Sequence, residues 1–388
     1  MKNPRYFRFS PFYLLLIVAT LISIFTPIVG LNKPFSPFFV ESVGTINAGS
    51  PEYSRTFVCH PCNGPAVHSA TIVSKTDGGL MAAWFGGSRE GAGDVRIYTS
   101  TKSSTEKGWS IERPLLDRKA EGKALGRYLK KLGNPVLGRD KDGRLWLFYV
   151  SVSAGGWSGS AINYKVSKNN GQTWSRSKRL ITSPFFNVST LVRGTPLTRQ
   201  DGTISLPVYH ELVGKFSEML QIDASGRVTS LQRISHGKQS FQPAVAAMSE
   251  QNAVLIARSA SKSNRHIFIS HTQNAGRTWS KPVATSLPNP DAGISITAGP
   301  DHSLLVVYND SQTDRGNLAL AISHDMGKSW KRIFYFEKEK TQHSGEEYSY
   351  PTIIRQGNEY HLVYTWHRTG IRYIRFNNAW VRQQEQRK

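Results

Sequence analysis

The stretch Ser167-Lys168-Asn169-Asn170-Gly171-Gln172-Thr173-Trp174 gives the clearest indication of the fold, because the chain repeats its pattern twice more. The further copies are Thr272-Gln-Asn-Ala-Gly-Arg-Thr-Trp279 and Ser323-His-Asp-Met-Gly-Lys-Ser-Trp330, and all three fit S/T-x-D/N-x-G-x-T/S-W. Each copy follows a strand-like apolar run. The Asn or Asp side chain can accept backbone hydrogen bonds and the Gly can adopt a positive φ, so the pattern predicts a hairpin turn.

The spacing of these copies predicts the architecture. Asn274 and Asp325 are 51 residues apart, and a degenerate copy that begins at Asp223 lies 51 residues before Asn274 and 54 after Asn169. Another degenerate copy ends at Trp109. A period near 50 residues is typical of one four-stranded blade of a β-propeller.

The composition agrees with an all-β fold. The chain has 388 residues, with nine Trp, 33 Gly and 19 Pro, and such richness in aromatic and turn-forming residues is typical of many short strands. The roughly 320 residues from about Arg55 to about Arg375 make six blades at the observed period. We therefore expect a six-bladed β-propeller that follows an N-terminal helix.

The net charge of +22 predicts attraction to polyanions. The basic residues are scattered and form no Lys/Arg run, so nucleic acid is not the expected partner. An anionic polysaccharide, an acidic glycan or anionic lipid headgroups fit this surface better. The pattern predicts no particular oligomeric state.

The N-terminus has the features of a membrane segment. Lys2, Arg5 and Arg8 precede an almost uncharged apolar stretch from Phe12 to Val29, which is just long enough to cross a bilayer as a helix. We expect an uncleaved anchor in an inner membrane with the remaining chain in the periplasm, or a secreted protein if the segment is cleaved. The expected domains are 1–30 (anchor or signal), 31–54 (linker), 55–378 (propeller) and 379–388 (polar basic tail).

The two cysteines of the chain, Cys59 and Cys62, lie in Cys-His-Pro-Cys. Two thiols and His60 are too few for a confident zinc site, and no βαβ context for a redox motif follows. We predict a small-loop disulfide in an oxidising compartment. No metal, phosphate or dinucleotide signature is present in the sequence, and no cofactor is expected.

The repeated stretches resemble the Asp-box, or BNR, repeats of the sialidase (neuraminidase) superfamily, and the chain is similar to a bacterial branch of predicted neuraminidases. The resemblance implies a six-bladed propeller. An activity does not follow from it alone, because Asp-boxes also occur in propellers with other functions.

Several residues resemble the family's site. Arg89 and Asp94 reproduce the spacing of a carboxylate-binding arginine and the catalytic Asp that follows it five residues later. Arg315 precedes a repeat as another triad arginine does, and Arg258 ends a strand where the remaining central arginine would lie. Tyr348, in Glu-Tyr-Ser-Tyr-Pro, resembles the tyrosine nucleophile. The resemblance therefore implies an arginine clamp for a carboxylate, beside an acid and a phenol.

Two positions depart from the family. Gln242 lies where the family has the Glu that takes the proton of the tyrosine, and His68 replaces the first triad arginine. Glu211 is the expected substitute base, and Glu347 and Glu90 are weaker options.

Two further polar residues lie where they could line the mouth of the site. Asn134, in Gly-Asn-Pro-Val, and Asp291, in Pro-Asn-Pro-Asp-Ala-Gly, both follow turn sequences. We interpret them as turn-capping residues and not as catalytic residues.

Three functions are consistent with these residues. The first is an exo-acting glycosidase, similar to sialidases, that removes a terminal acidic sugar with Asp94 as acid and base and Tyr348 as nucleophile. The second is a uronate-directed polysaccharide lyase that uses His68 and Tyr348. The third is a carbohydrate-binding propeller without activity, which Gln242 and His68 favour.

Overall fold

The computed structural model describes residues 10–25, 35–40, 49–106, 108–183, 187, 189–235, 239–338 and 347–387. The basic flank at Lys2, Arg5 and Arg8 and the apolar residues after Phe25 lie outside these ranges. The helices are α1 (Pro11–Phe25), α2 (Arg118–Leu125) and α3 (Asn378–Gln386). Within the described residues, no helix combines the length and apolar character that crossing a membrane requires.

The remaining structure is all-β and consists of antiparallel meanders. Strand β1 (Tyr53–Cys59) comes first in the chain. The first meander is β2 (Ala66–Ser74), β3 (Leu80–Gly87), β4 (Arg96–Lys102) and β5 (Arg113–Asp117). The second is β6 (Lys131–Arg139), β7 (Leu145–Val152), β8 (Ser160–Ser167) and β9 (Lys178–Arg179), with a 3₁₀ turn at Trp157–Gly159.

The next two meanders share one sheet. The third contains β10 (Leu191–Val192), β11 (Leu197–Thr198), β12 (Ile204–His210), β13 (Phe216–Ile222) and β14 (Val228–Arg233). The fourth contains β15 (Ser240–Ala247), β16 (Ala253–Ser259), β17 (His266–Thr272) and β18 (Val283–Pro288). A single parallel pair, Phe216 with Ser240, joins them into nine strands.

The last two meanders complete the fold. The fifth is β19 (Ser295–Ala298), β20 (Leu304–Tyr308), β21 (Asn317–Ser323) and β22 (Lys331–Lys338). The last is β23 (Tyr348–Gln356), β24 (Glu359–Trp366) and β25 (Gly370–Asn377). Strand β1 pairs antiparallel with β25, so the first strand of the chain completes the sheet of the last three.

The inner strands of successive meanders contact one another in a closed circuit. Strand β2 contacts β6, β6 contacts β10, β12 contacts β15, β15 contacts β19, β19 contacts β23, and β23 contacts β2. The sheets therefore form a ring, which is a β-propeller-like arrangement. Apolar side chains between neighbouring sheets form the core, for example Trp146 and Leu206 in one cluster and Leu305 and Leu362 in another.

The three repeated stretches form turns between the third and fourth strands of their meanders. In the first, Asn169 Oδ1 accepts a hydrogen bond from the N–H of Thr173 at 2.9 Å, and Gly171 has a φ of +85°. Asp325 forms the same bond with the N–H of Ser329. The degenerate copies near Asp223 lie between β13 and β14, and those near Trp109 between β4 and β5. The repeat therefore marks the same place in five meanders.

One-residue bulges interrupt four inner strands near their beginnings. In β2, β6, β15 and β23 the pairing register shifts by one residue. The residues at the bulges with positive φ are Ser69 (58°), Asn134 (44°), Gln242 (48°) and Tyr350 (52°). A bulge turns a side chain out of the regular alternation of the strand. The same device therefore redirects one side chain in each of these strands at the same end of the ring.

Residues 379–386 of the expected polar basic tail belong to helix α3. Asn377 caps its first turn by accepting from the N–H of Trp380 at 2.9 Å. Trp380 and Val381 are buried against β22 and β25. This polar segment therefore packs on the last sheets through a short apolar contact.

Residues 35–40 lie against the end of the ring opposite the bulges. The guanidinium of Arg199 is buried between the rings of Phe35 and Phe38, 4.9 and 4.7 Å from their centres. Phe39 borders a cavity of about 490 Å³ whose wall includes Arg139 and Arg355 near the far ends of β6 and β23. Tyr350 lies five residues, or about 16 Å, back along β23. This cavity therefore lies apart from the bulged end of the ring.

Candidate active site

The bulged residues converge on one network. Asn134 Nδ2 donates to the hydroxyl of Tyr209 at 3.2 Å, and Gln242 Nε2 donates to the same oxygen at 3.1 Å. Arg258 Nη1 donates to Gln242 Oε1 at 2.6 Å and to the hydroxyl of Tyr350 at 3.3 Å. Three bulges from three meanders thus contribute to a single polar cluster, and we take this cluster as the centre of the candidate site.

Tyr350 lies among guanidinium groups. Arg193 lies 5.1 Å and Arg315 lies 5.8 Å from the centre of its ring, and Arg258 reaches its hydroxyl. Arg193 is buried and donates to Thr352 Oγ1 at 3.1 Å and to the carbonyl of Pro351 at 2.9 Å. Burial lowers the pKa of Arg193 to about 10, so it remains charged at neutral pH. The phenol therefore lies in a strongly positive field.

Tyr348 has a different environment from the one expected for the reactive phenol. Its ring is 4% exposed and belongs to an apolar cluster with Leu305 and Leu362. Its hydroxyl lies 3.1 Å from Nε2 of His367. The bulge two residues later turns the side chain of Tyr350, and not that of Tyr348, toward the arginines. The expected role of Tyr348 as the nucleophile stays a prediction, and the contacts with the arginines belong to Tyr350.

His68 lies beside this phenol in a buried position. Its ring is 4.4 Å from that of Tyr350, and its Nδ1 is 3.6 Å from Glu347 Oε1. Burial, and then the charges of Arg368, Arg315 and neighbouring arginines, hold the pKa of His68 well below its usual value. The imidazole is therefore neutral at physiological pH and adds no positive charge to the cluster.

Arg368 provides a cation in this region instead. Its Nε lies 3.1 Å from Glu347 Oε1, and Nη1 of Arg315 lies 3.8 Å from the other oxygen of Glu347. Arg368 extends from the turn between β24 and β25, and its side chain is 36% exposed. Glu347 thus holds Arg315 and Arg368 on one side of His68 while leaving both partly accessible.

Asp291 links Arg258 to Arg315. Its Oδ1 accepts from Arg258 Nε at 2.7 Å, and its carbonyl accepts from Arg315 Nη2 at 2.9 Å. Burial opposes the charge of Arg258, but Tyr350 and Asp291 together raise its pKa. Asp291 has a φ of +61°, so it is a turn residue as expected from the sequence, and it also orients the clamp.

Arg89 and Asp94 lie together on an exposed loop after β3. The carboxylate of Asp94 accepts from the N–H and the hydroxyl of Ser88, both at 2.9 Å. These hydrogen bonds lower the pKa of Asp94. The loop meets the cluster through Glu90, whose carboxylate lies 3.5 Å from Arg368 Nη1. Arg89 and Asp94 therefore lie on the rim, and no described contact joins them to Tyr350.

Glu211 is partly buried at the end of β12, close to the cluster. Its N–H donates to Ser189 Oγ at 2.8 Å. Burial raises the pKa of its carboxyl group, while the charges of Lys215 and Arg258 lower it and that of Asp291 raises it. A carboxyl group with a raised pKa can exchange a proton closer to neutral pH than an ordinary glutamate.

Cys59 and Cys62 are joined by a disulfide at the end of β1. Together with Glu112 they form a group of possible metal-ligand atoms within 4.8 Å of one another. Sulfur in a disulfide is not a thiolate ligand, so this group does not form a zinc site as it stands.

Sequence reasoning missed four residues of the cluster as functional candidates: Tyr209, Arg193, Tyr350 and Arg368. A signal for Tyr350 was present, because Asn134, Gln242 and Tyr350 each precede a proline near the start of an inner strand. The three X-Pro pairs coincide with the bulges. Arg193 and Arg368 carry no such signal.

Comparison with known proteins identifies relatives of this fold. The BNR repeat-like domain family matches residues 78–362. No curated protein matches the chain. Among solved structures, the Hadza microbial sialidase Hz136 superposes with a TM-score of 0.68 at 18% identity, covering 82% of this chain and 67% of its own.

Two further structures cover nearly all of their own chains. A protein of unknown function from Dyadobacter fermentans has a TM-score of 0.64 at 12% identity, covering 87% of this chain and 100% of its own. The intramolecular trans-sialidase from Ruminococcus gnavus has a TM-score of 0.62 at 13% identity, covering 84% and 97%. At these identities the likeness shows the fold.

Proposed function

This chain belongs to the BNR repeat-like domain family, and from that premise we propose that it is a sialidase-like exo-glycosidase that removes a terminal acidic sugar from a glycan. Its structural neighbours include sialidases, and its net charge suits an anionic substrate. The meanders would be the six blades of a propeller, with the substrate bound where the bulges converge.

The substrate carboxylate would bind between Arg258, Arg315 and Arg368. Their guanidinium groups surround Tyr350 and Glu347, and two of the three are at least one-fifth exposed. A guanidinium binds a carboxylate through paired charge-assisted hydrogen bonds. Both Nη atoms of Arg193 already donate, to Thr352 Oγ1 and to the carbonyl of Pro351, so its role would be to stabilise the phenol and not to bind the substrate.

Tyr350 would be the nucleophile. A phenol oxygen that attacks the anomeric carbon forms a glycosyl–enzyme bond, and it brings no second carboxylate against that of the substrate. Arg258 and Arg193 favour the developing phenolate electrostatically. Glu211 would receive the phenol proton. Asp94 on the rim loop would leave its bonds to Ser88, take up a proton from solvent beside the bound substrate, and donate that proton to the leaving oxygen. Water would then release the sugar and regenerate the phenol.

The observation that carries this proposal is the placement of Tyr350 among three arginines. The test is to incubate the purified full-length chain with a panel of sialylated and uronate-bearing glycans and to analyse the products. Release of a saturated acidic monosaccharide that stops in Tyr350→Phe supports the proposal. If the native chain binds these glycans without turnover, it is a binding propeller and the proposal fails.

A uronate-directed lyase is the second candidate, and the neutral His68 beside Tyr350 favours it. A neutral imidazole or a phenolate can abstract the proton next to a carboxylate that arginines neutralise. Elimination leaves an unsaturated product that absorbs ultraviolet light, whereas hydrolysis does not. The same glycan panel therefore separates the two reactions by absorbance.

A further inference from the structure

The disulfide loop lies directly behind the turn that carries Arg368. The N–H of Cys62 donates to the carbonyl of Thr369 at 3.0 Å, and the N–H of Val67 donates to the carbonyl of Arg368 at 2.8 Å. The backbone of the turn is thus hydrogen bonded at two successive carbonyls to one continuous segment, which begins at the disulfide.

The same loop packs against the aromatic side of the turn. The ring of His60, between the two cysteines, lies 5.0 Å from that of Trp366, and Trp366 lies 4.1 Å from His367. Gly370 allows this approach, because a Cβ atom there would lie 2.8 Å from the His60 ring. The contact between loop and turn is therefore close on both its polar and its aromatic side.

The backbone of the turn is held by contacts of its own and by contacts from outside. His367 and Arg368 have φ values of 48° and 55°, in the left-handed region that residues with a Cβ atom adopt at some cost outside hairpin turns. The turn closes when the N–H of Thr369 donates to the carbonyl of Trp366 at 3.1 Å, and further contacts fix where Arg368 lies. Those contacts include the N–H of His367 donating to the carbonyl of Glu347 at 2.9 Å and the two bonds from the loop.

We propose that the Cys59–Cys62 disulfide positions Arg368 for substrate binding, so that breaking it weakens the hold on the anionic group of the sugar. The proposal rests on the proposed function, in which Arg368 binds the carboxylate. Arg368 is the substrate contact, and the cysteines act through it as positioning residues. The bond therefore contributes to affinity for acidic ligands as well as to stability.

The test measures binding of N-acetylneuraminic acid and of its uncharged methyl ester to the full-length chain by calorimetry. The variants are Cys59→Ala/Cys62→Ala, Arg368→Ala and the combination of all three. Arg113→Ala, on the exposed outer strand β5, is the control. We expect Arg368→Ala to weaken binding of the acid about tenfold and the cysteine variant to weaken it several-fold. The ester should change much less.

The combined variant shows whether the cysteines affect binding through Arg368. If the cysteines act through Arg368, the combined variant binds the acid within about twofold of Arg368→Ala, because the arginine they position is gone. Independent losses that multiply, or a cysteine variant that melts at lower temperature while binding the acid normally, would overturn the proposal.

A native chain that binds no carboxylate sugar would refute the proposed function, and hydrogen exchange then tests the positioning alone. The amides of His367 and Thr369 should exchange at least about tenfold faster in Cys59→Ala/Cys62→Ala, while that of Leu255 in β16 stays unchanged. Equal exchange rates at the turn in both proteins would show that the disulfide does not hold it.

Discussion

Arg258 donates a hydrogen bond of 3.3 Å to the hydroxyl of Tyr350 across 92 residues of chain. The same guanidinium nitrogen bonds Gln242 Oε1 at 2.6 Å. Gln242 therefore acts as a fixed acceptor that directs Arg258 toward the phenol. The environment of Tyr350 is set by cations, whereas a Glu–Tyr pair would set it by a carboxylate.

The first prediction separates the two tyrosines. Tyr350→Phe should lower turnover at least about a hundredfold, because it removes the oxygen proposed to react. Tyr348→Phe removes only the hydroxyl bonded to His367 and should keep turnover within about threefold, with a stability loss of about 1 kcal/mol. Steady-state kinetics and urea unfolding of both variants provide the measurement. Equal loss of activity in the two variants would contradict the assignment of Tyr350 as the nucleophile.

The second prediction separates two arginines by kinetic parameter. Arg315→Ala should raise KM for an acidic sugar about tenfold or more and change kcat little, because the proposed role of Arg315 is to bind the substrate carboxylate equally in the ground state and the transition state. Arg193→Met should mainly lower kcat, because the cation below the Tyr350 ring is lost while the clamp remains. The KM of Arg193→Met should stay within about threefold. A rise in KM without a fall in kcat for Arg193→Met would contradict the proposed role of Arg193 in stabilising the Tyr350 phenol.

The third prediction concerns stability and pH. Burial lowers the pKa of His361 to about 4, and Tyr373 bonds its Nδ1 at 2.9 Å. Between about pH 6.5 and pH 4 the unfolded chain binds a proton here that the folded chain does not, so stability falls as the pH is lowered through this window. His361→Asn should lose about 2 kcal/mol less than the native chain between pH 7 and pH 4.5. Urea unfolding at both pH values measures this, and parallel losses would refute it.

The fourth prediction concerns closure of the ring. Glu337 is 7% exposed and accepts from Arg55 of β1 at 2.6 and 2.8 Å and from the hydroxyl of Tyr364 at 2.5 Å. Glu337→Gln should lower the free energy of unfolding by about 2 kcal/mol, because it leaves the half-buried guanidinium of Arg55 and the buried hydroxyl of Tyr364 poorly paired. Glu52→Gln removes an exposed partner of Arg375 and should cost less than about 0.5 kcal/mol. Similar losses in both variants would show that Glu337 has no special role.

The sequence was sufficient for the parts of the fold that local chemistry determines. The turn at Asn169 needs only a side-chain acceptor and Gly171 at a fixed distance, so its pattern and period are visible in one dimension. The bulge at Tyr350 depends on how β23 pairs with β24, which no local pattern reports. For this reason the sequence does not show that the side chain of Tyr350 faces the arginines.

The cations of the site show the same limit at longer range. Arg258 and Arg315 are candidates in the sequence because they keep the order along the chain that the resemblance implies. Arg368 comes from a turn that contacts Glu347 only after the ring has closed. Arg193 is identified by its buried contacts with Thr352 and Pro351, about 160 residues away. Such residues become visible only when the neighbours of each side chain are known.

The burial of Arg199 between Phe35 and Phe38 determines where the chain leaves the ring. That exit lies at the pole opposite Tyr350, and nine residues, able to extend about 30 Å, separate it from helix α1. Any surface that held α1 would therefore be tethered to the end of the ring opposite Tyr350. Glycans would then reach Tyr350 from the bulged end of the ring, which faces away from that surface.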